Sequence, residues 1–281
     1  MAAGPEQGRS SHPQRSPRMK VLVTGLNGTL APKLAALLRH QGHEVLAWQR
    51  DMLDVNNEAA GRDWLDAQGV QAVAHLAMGD AHWAGWMAWW AAQRGLPFVF
   101  TSTAMVFHHE PDGPHQVGDA TTAQDDYGRG KALCEQAVLQ AHPHAVVARI
   151  GWQIDLTATG NNMLRALDDW QARDGRIGAS TLWRPACSFM DDTVAALAQC
   201  LRLDGASPSP HTPAGLIHLD SNAQDGWNFA QVAEALGKAA GRGWQVVPEA
   251  GYAHDQRLMP GVGQGVVLPG LKGKLVRLKR L

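Results

Sequence analysis

The sequence predicts an α/β fold in which a doubly wound parallel sheet carries a smaller C-terminal lobe. Short strand patterns alternate with helical patterns over most of the 281 residues. Several strand patterns are apolar on both faces, which is typical of parallel sheets that helices cover on both sides. The first strand also runs directly into a glycine turn and an apolar helix, the arrangement of a Rossmann-type sheet.

The strand and helix patterns can be placed along the chain. The predicted strands cover residues 21–24, 44–48, 72–76, 97–101, 145–150 and 216–219. The predicted helices begin near residue 34 and then cover residues 80–94, 127–140, 163–172, 191–201 and 228–239, with loops at 157–162, 173–181 and 205–213. We therefore expect a disordered extension at 1–18, a Rossmann domain at 19–152, and a substrate-binding lobe at 153–281 with segments that return to the Rossmann domain.

The glycine turn after the first strand is suited to a dinucleotide. Gly25 ends a β-branched run, and Gly28 and Ala31 follow at intervals of three. Glycine at the first position permits the tight turn, and glycine at the second lets a pyrophosphate approach the backbone N–H groups. A lone glycine triplet is weak evidence, but here a strand precedes it and a helix follows it. The turn therefore predicts dinucleotide binding.

Composition excludes several classes of function. The net charge is −1, which argues against a nucleic-acid partner or a membrane surface. No apolar run approaches the roughly 20 residues that a membrane span needs. Cys134, Cys187 and Cys200 are far apart, which indicates a reducing, cytoplasmic location and no metal site. Residues 1–18 have no apolar core and fit neither a signal peptide nor a folded element, so Met19 is the expected natural start.

Tyr127 and Lys131 are four residues apart, so they lie on one face of a helix. There a lysine ammonium lowers the pKa of the phenol and can bond a cofactor ribose, while the phenol donates a proton to a carbonyl oxygen. Such a site needs a neighbouring hydroxyl. Thr101, Ser102 and Thr103 end the preceding strand, at the sheet edge where ligands bind. Together with the glycine turn, this pattern predicts an oxidoreductase.

Seven motifs follow one another between residues 19 and 240. They are TGLNGTLA at 24–31, LDV at 53–55, STAMVF at 102–107, YGRGK at 127–131, RIGW at 149–152, GNNM at 160–163 and GLIHLD at 215–220. In this order they resemble the extended short-chain dehydrogenase/reductase superfamily, and within it the sugar-nucleotide enzymes of the dTDP-4-dehydrorhamnose reductase type. The resemblance implies reduction of a keto group on a nucleotide-activated sugar.

The resemblance also implies roles for individual residues. Thr103 is then the hydroxyl partner of the substrate, Tyr127 the acid and Lys131 the group that tunes it. Cofactor contacts are expected from Gly25, Asn27, Gly28, Thr29, Leu30, Arg50, Asp54, Val55, Leu76, Ala77, Thr101 and Lys131. Substrate contacts are expected from Ser102, Thr103, Trp152, Asn161, Asn162 and Arg184.

The end of the second strand favours NADP(H) over NAD(H). Enzymes that use NAD usually end this strand with an acid that bonds the ribose 2′-hydroxyl, whereas here it ends with Trp48, Gln49 and Arg50. A guanidinium suits a 2′-phosphate because it forms charge-assisted, bidentate hydrogen bonds. Asp51 follows immediately and is an alternative partner for Arg50.

Two departures from the family pattern keep other functions open. Ala104 and Met105 stand where the family commonly has an Asp-Tyr pair, which removes a polar contact at the substrate pocket. The stretch after Ala77 is short and lacks an expected asparagine, with Asp80 the nearest polar residue. The alternatives are an epimerase or dehydratase, which recycles its hydride, and a weakly catalytic NADP-binding regulatory subunit.

The remaining conspicuous side chains have structural explanations. Tryptophans 83, 86 and 90 follow helical spacing, so core packing or a homodimer interface explains them better than ligand stacking. The sequence predicts solvated loop histidines at His108, His109 and His115, a helix cap and first turn at Asp191 and Asp192, and a solvated, mobile tail at 272–280. Arg184 suits a substrate phosphate and a surface ion pair equally well.

Overall fold

The computed structural model describes residues 18–157, 160–203 and 214–278. The predicted extension up to residue 17, the predicted loop at 205–213 and part of the loop at 157–162 lie outside these ranges. Among the described residues, no helix combines the length and the apolar composition that crossing a bilayer would require.

The described residues form strands and helices in an alternating order. The strands are β1 (Lys20–Thr24), β2 (Glu44–Ala47), β3 (Ala72–His75), β4 (Phe98–Thr103), β5 (Val146–Ile150), β6 (Trp152–Ile154), β7 (Ile177–Ser180), β8 (Trp183–Arg184), β9 (Cys187–Phe189), β10 (Gly215–Leu219), β11 (Val246–Glu249) and β12 (His254–Asp255). The helices are α1 (Leu30–His40), α2 (Glu58–Gln68), α3 (Ala81–Ala92), α4 (Asp126–Ala141), α5 (Met163–Asp174), α6 (Met190–Cys200), α7 (Phe229–Ala239) and α8 (Leu271–Leu278), with a 3₁₀ turn at Ala104–Val106.

Six parallel strands form the central sheet, in the order β10-β5-β4-β3-β1-β2. The chain moves outward from β1 to β2, then crosses to β3 and continues in the opposite direction. The carboxyl ends of β1 and β3 therefore flank the point where the strand order reverses, and open α/β sheets bind ligands at this point. The predicted fold class, a doubly wound Rossmann-type sheet, is confirmed.

Apolar side chains cover both faces of the sheet. Val21 and Val23 of β1 point into a cluster with Leu34 of α1 and with α6, whereas Leu22 points into a cluster with Trp83 and the helices α3 and α4. Alternate residues of a strand face opposite sides of the sheet, so a strand that is apolar at every position is buried on both faces. This explains why the strand patterns of the sequence were continuous.

Helix α3 confirms the core interpretation of its tryptophans. Asp80 caps the helix by accepting a hydrogen bond from the Trp83 N–H at 2.9 Å. Trp83, Trp86 and Trp90 are buried against the sheet and α2, while Trp89 is 40% exposed. The preceding helix α2 was not predicted, because Gly61 interrupts its apolar pattern. A Cβ on Gly61 would lie 2.7 Å from the Trp86 ring, so the glycine permits close packing of α2 on α3.

The C-terminal lobe consists of short strand pairs and three helices. Strand pairs β6/β9, β7/β11 and β8/β12 surround a third apolar cluster together with α5, α7 and α8. The predicted loop at 173–181 therefore contains a strand, β7. The predicted solvated tail is also wrong as far as it is described, because Leu271 and Leu275 of α8 are buried in this cluster.

Two local predictions need correction. Phe189, not an aspartate, precedes α6, and no side chain caps this helix. Asp191 and Asp192 lie in its first turn, where Asp192 pairs with Lys274 at 2.7 Å. His115 is also not solvated: it is 3% exposed, because its ring stacks on Phe107 at a centroid distance of 4.1 Å.

Candidate active site

The glycine turn after β1 packs closely against the residues that follow β3. Gly25 has a φ of +83°, and a Cβ there would lie 2.9 Å from the Ala77 nitrogen. Only glycine satisfies both constraints. Because Gly25, Leu76 and Ala77 then form one surface, the turn and the loop after β3 meet at the switch point of the sheet.

Thr24 holds the loop after β3 in place. Its Oγ1 accepts hydrogen bonds from the backbone N–H groups of Leu76 (3.1 Å) and Ala77 (3.0 Å) and lies 2.9 Å from Nδ1 of His75. A hydroxyl oxygen has two lone pairs and one hydrogen, so the Thr24 hydroxyl donates to His75. Burial lowers the pKa of His75 to about 3, which keeps Nδ1 free to accept this bond.

Two clefts open along the carboxyl edge of the sheet, with volumes of about 670 Å³ and 800 Å³. They meet at a boundary that Gly25, Gly28, Leu76 and Met78 line in common. No side chain caps the first turn of α1, so its N–H groups are available to an anion. Two compartments joined at a glycine turn and a helix N-terminus match the two halves of a dinucleotide and its pyrophosphate.

The first cleft brings together the residues to which the sequence assigned the chemistry. Thr101, Ser102 and Thr103 of β4 line it with Tyr127 and Lys131 of α4. Thr29, Leu30, Trp152 and Asn161, which were expected at the cofactor and substrate sites, line it as well.

Lys131 is held by the sheet. Its Nζ donates a hydrogen bond to the Thr101 carbonyl oxygen at 2.9 Å and lies 4.7 Å from the Phe100 ring centroid. The side chain is buried, and burial lowers the pKa of its ammonium group. Since an ammonium has three N–H donors, two of them remain for a ligand.

Tyr127 differs from the sequence expectation in one respect. Burial raises the pKa of its phenol, and a hydrogen bond from the Thr103 side chain only partly opposes this shift. The pKa of the phenol is therefore shifted upward, opposite to the lowering expected from Lys131. At neutral pH the phenol therefore keeps its proton.

Three residues that the sequence analysis missed position α4. Asp125 caps the helix by accepting a hydrogen bond from the Gly128 N–H at 2.8 Å. A Cβ on Gly128 would collide with the Met105 carbonyl oxygen, so this glycine lets the helix approach the turn after β4. Glu135, one turn beyond Lys131, forms a buried ion pair with Arg149 of β5 at 2.7 Å. The spacing of Lys131 and Glu135 was the available signal for this second anchor.

The second cleft contains the residues expected near the cofactor ribose. Asn27, Arg50, Asp51 and Ala77 line it. The Arg50 guanidinium donates a hydrogen bond to the Met78 carbonyl oxygen and lies 4.8 Å from the Trp83 ring centroid. No ion pair joins Arg50 to Asp51 within the described part of the chain, and Arg50 is one of the residues that line the cleft.

Four predicted site residues do not line either cleft. Asp54 accepts hydrogen bonds from Asn56, and the Val55 carbonyl oxygen accepts one from the Trp86 indole. The side chain of Asn162 caps α5 by accepting a hydrogen bond from the Arg165 N–H at 3.1 Å.

Arg184 is the fourth of these residues and lies exposed on β8, with its charge near Asp255. The described ranges contain no group of three or more His, Cys, Asp or Glu side chains placed to hold a metal ion.

Comparison with known proteins identifies the family. Residues 80–252 match the family model described as the RmlD substrate binding domain. The chain belongs to this family. It is 30% identical to the dTDP-4-dehydrorhamnose reductase of Burkholderia thailandensis over 268 residues, which cover 86% of this chain and 84% of that protein. It is 28% identical to the dTDP-4-dehydrorhamnose reductase of Mycobacterium tuberculosis over 180 residues, 56% of this chain and 58% of that protein.

A solved structure has the same fold. The crystal structure of the Bacillus anthracis dTDP-4-dehydrorhamnose reductase in complex with NADP superposes with a TM-score of 0.74 at 16% identity, covering 93% of this chain and 98% of that one. The predicted membership of the extended short-chain dehydrogenase/reductase superfamily is confirmed. Several relatives are named dTDP-4-dehydrorhamnose reductases, and the enzyme class predicted from the sequence, an NAD(P)-dependent oxidoreductase, is also confirmed.

Proposed function

We propose that this protein is an NADP-dependent reductase of a keto group on a nucleotide-activated sugar. The observation that carries the proposal is that Thr103, Tyr127 and Lys131 line the same cleft as the glycine turn. The names of the relatives point to the same reaction, since the Burkholderia thailandensis protein is a dTDP-4-dehydrorhamnose reductase.

The residues present fit the cofactor. Gly25 and Gly28 leave room for a pyrophosphate, and the uncapped first turn of α1 offers N–H donors to it. Arg50 lines the second cleft, where a guanidinium would pair with a 2′-phosphate, and this supports NADP(H) over NAD(H). When bound, NADPH supplies the hydride that reduces the carbonyl carbon.

Tyr127 would donate the proton that the reduced carbonyl oxygen needs. Its raised pKa means that the phenol enters the reaction protonated, as a general acid must. Thr103 contributes a hydroxyl at the same place, and Lys131, with two free donors, would bond the cofactor ribose and stabilise the phenolate that forms. By stabilising the phenolate, Lys131 would ease the transfer of the proton.

The substrate side of the cleft supports a sugar nucleotide. Trp152 and Asn161 line it, and the Ser102 hydroxyl is buried without a hydrogen-bond partner among the described residues. Met105 is 44% exposed in the cleft, where the family commonly has a polar residue. This apolar contact would separate the sugar preference of this protein from that of its rhamnose-forming relatives.

The experiment that tests the proposal is a balance of cofactor and product. Purified protein is incubated with NADPH and a panel of 4-keto nucleotide sugars, and NADPH oxidation is measured together with the product. A reductase consumes one NADPH for each sugar reduced. An epimerase or dehydratase converts substrate without net consumption, and a regulatory subunit binds NADPH without turnover. Either of these two results would overturn the reductase.

We also propose a cytoplasmic location and no nucleic-acid partner. The three cysteines are all free and buried, as in proteins of reducing compartments, and the net charge is −1. A homodimer stays a prediction.

A further inference from the structure

Trp183 lies on the lobe side of the first cleft and has no role in the function proposed above. It belongs to β8, where it pairs in register with His254 of β12, and it lines the cleft with Tyr127. Its ring lies 6.3 Å from that of Trp152, with an interplanar angle of 25°. Both indoles line the cleft, so its lobe side contains two nearly parallel aromatic rings.

The hydrogen bonds of the tryptophans separate two groups. Four tryptophans, wholly or partly buried, donate a hydrogen bond from the indole N–H to an acceptor of the protein. They are Trp48, Trp86, Trp90 and Trp244. Two other buried indole N–H groups, those of Trp83 and Trp183, have no acceptor among the described residues, and both tryptophans line a cleft. An unpaired buried donor destabilises the fold. Packing alone would therefore favour phenylalanine at position 183.

The polar groups around Trp183 are neutral. Gln153, Asn161 and Gln256 line the same cleft, and the only charged side chain among its lining residues is Lys131. The Gln153 Oε1 atom is buried without a donor in the described ranges. An aromatic face bordered by carboxamides suits a flat, uncharged ring that carries both donors and acceptors on its edge, and a nucleobase is such a ring.

We propose that Trp183 stacks on the nucleobase of the nucleotide-sugar substrate, with the carboxamides of Gln153 and Gln256 at the edge of the base. This inference rests on the proposed function and makes Trp183 a residue that binds the nucleotide part of the substrate. The other end of the cleft, with Thr103 and Tyr127, is left for the sugar. The protein would then bind its substrate through the base as well as through the sugar.

The test measures the binding of three probes by calorimetry to protein loaded with NADP⁺. UDP and dTDP carry a base, whereas inorganic pyrophosphate has none. Trp183→Leu should weaken the binding of UDP and dTDP by about 5- to 100-fold, the range for loss of one base–aromatic stack. Its affinity for pyrophosphate should stay at the parental value. Trp183→Phe, which keeps a stacking ring, should lose less than Trp183→Leu.

Trp170→Leu is the matched control. Trp170 packs against Phe229 at 5.9 Å, as Trp183 does at 4.8 Å, but it does not line the cleft. An equal loss of UDP and dTDP binding in Trp170→Leu would overturn the stacking role, because general loosening of the lobe would then explain it. Parental binding by Trp183→Leu would also overturn it, and so would lost turnover with unchanged UDP binding, which indicates a contact with the sugar.

The same experiment separates this inference from the proposed function. If the parent binds UDP or dTDP and Trp183→Leu binds them equally well, only the role of Trp183 fails. If the parent binds neither nucleotide, UDP-sugars and dTDP-sugars fail as the substrate and the stacking role on their bases fails with them. If Trp183→Leu does not fold, Trp183→Met, which also lacks a ring, takes its place: a selective loss of UDP and dTDP binding supports stacking, and unchanged binding overturns it.

Discussion

The sheet side and the lobe side of the first cleft hold their side chains by different means. On the sheet side, Lys131 bonds the Thr101 carbonyl and α4 is tied to β5 by the buried Glu135–Arg149 pair. On the lobe side, Trp183 sits on a two-residue strand and is held by ring packing, without a hydrogen bond from its indole to the described residues.

This difference matches the different roles proposed for the two sides, proton transfer on the sheet side and substrate recognition on the lobe side. Proton transfer requires groups fixed to within fractions of an ångström, and backbone hydrogen bonds and buried ion pairs supply such fixation. Substrate recognition tolerates adaptation, and packed aromatic rings can shift with the ligand. We therefore expect substitutions on the sheet side to change turnover or cofactor binding, and substitutions on the lobe side to change substrate preference.

The largest expected effect is loss of cofactor binding in Gly28→Val. Gly28 lines both clefts at their boundary, and a Cβ there would already lie 3.1 Å from the Gly25 carbonyl oxygen. The valine side chain would fill the space of the pyrophosphate, while the sheet needs no ligand to form. Fluorescence titration should detect no NADPH binding, with the melting temperature nearly unchanged. Gly118→Val, in open space, is the control, and normal NADPH binding by Gly28→Val would make the turn purely structural.

The next effect is on turnover. Tyr127→Phe deletes only the phenolic proton donor, so kcat should fall by about 10²–10⁴-fold at unchanged NADPH affinity. Lys131→Ala should impair both turnover and NADPH binding, because its ammonium would serve the phenol and the ribose. Steady-state kinetics and titration of the two variants, on a substrate that the parent reduces, make the comparison. Parental turnover in Tyr127→Phe would remove the assigned acid.

These sheet-side residues were predictable because their signals are local. Gly25 and Gly28 are three residues apart, Tyr127 and Lys131 four, and each spacing fixes a turn or a helix face. The order of strands and helices was predictable for the same reason, since the period of the apolar residues and the length of apolar runs are local properties of the sequence. Short segments of the sequence are thus enough to identify most residues on the sheet side of the cleft.

The lobe side could not be predicted in this way. The pairing of Trp183 with His254 joins residues 71 positions apart, and a two-residue strand has no period. Buried His115 likewise depends on a hydrogen bond to His254 at 3.1 Å. Asn162 shows that a local motif can also mislead. Its motif predicted substrate binding, whereas its side chain caps helix α5. Contacts between distant segments decide such cases.

A stability measurement sharpens the contrast in fixation. Glu135→Leu leaves the buried Arg149 guanidinium without its partner, and breaking such a pair typically costs about 3–5 kcal/mol of unfolding free energy. Asp169→Ala, which removes the exposed pair with Arg165 on the lobe, should cost below about 1 kcal/mol. Urea unfolding of the two variants measures both. A cost for Glu135→Leu no larger than that for Asp169→Ala would contradict the anchoring of α4.

Acid should weaken a contact between the loop before α4 and strand β12 of the lobe. His115 hydrogen-bonds His254, and burial lowers the pKa of His254 to about 4 and also lowers that of His115. The unfolded chain then binds more protons than the folded one between pH 6.5 and about 4. The free energy of unfolding should be greatest above pH 6.5 and fall as the pH drops through this window. Asp112, Asp119 and Asp255 favour the charged form, and Arg149 and His109 oppose it.

The variant that tests this pH dependence is His254→Gln, which cannot be protonated. Its unfolding free energy should decline less than the parental one between pH 6.5 and 4. His144→Gln, at an exposed position, should decline as the parent does. Equal slopes for all three proteins would show that the histidine contact does not respond to acid.

The smallest expected effect concerns the choice of cofactor, at the edge of the sheet side. Arg50 is exposed and lines the second cleft with Asp51, so one charge-assisted contact to a 2′-phosphate is the most that it adds. A contact of this kind contributes about 1.5 kcal/mol or more, which corresponds to a preference of roughly tenfold for NADPH over NADH. Arg50→Ala should remove most of this preference while NADH affinity stays the same, and Asp51→Ala should preserve it. Fluorescence titration of both cofactors against the three proteins measures each affinity. Equal affinities for NADPH and NADH in the parent would show that the Arg50 guanidinium only stabilises the fold, through its contacts with the Met78 carbonyl oxygen and the Trp83 ring.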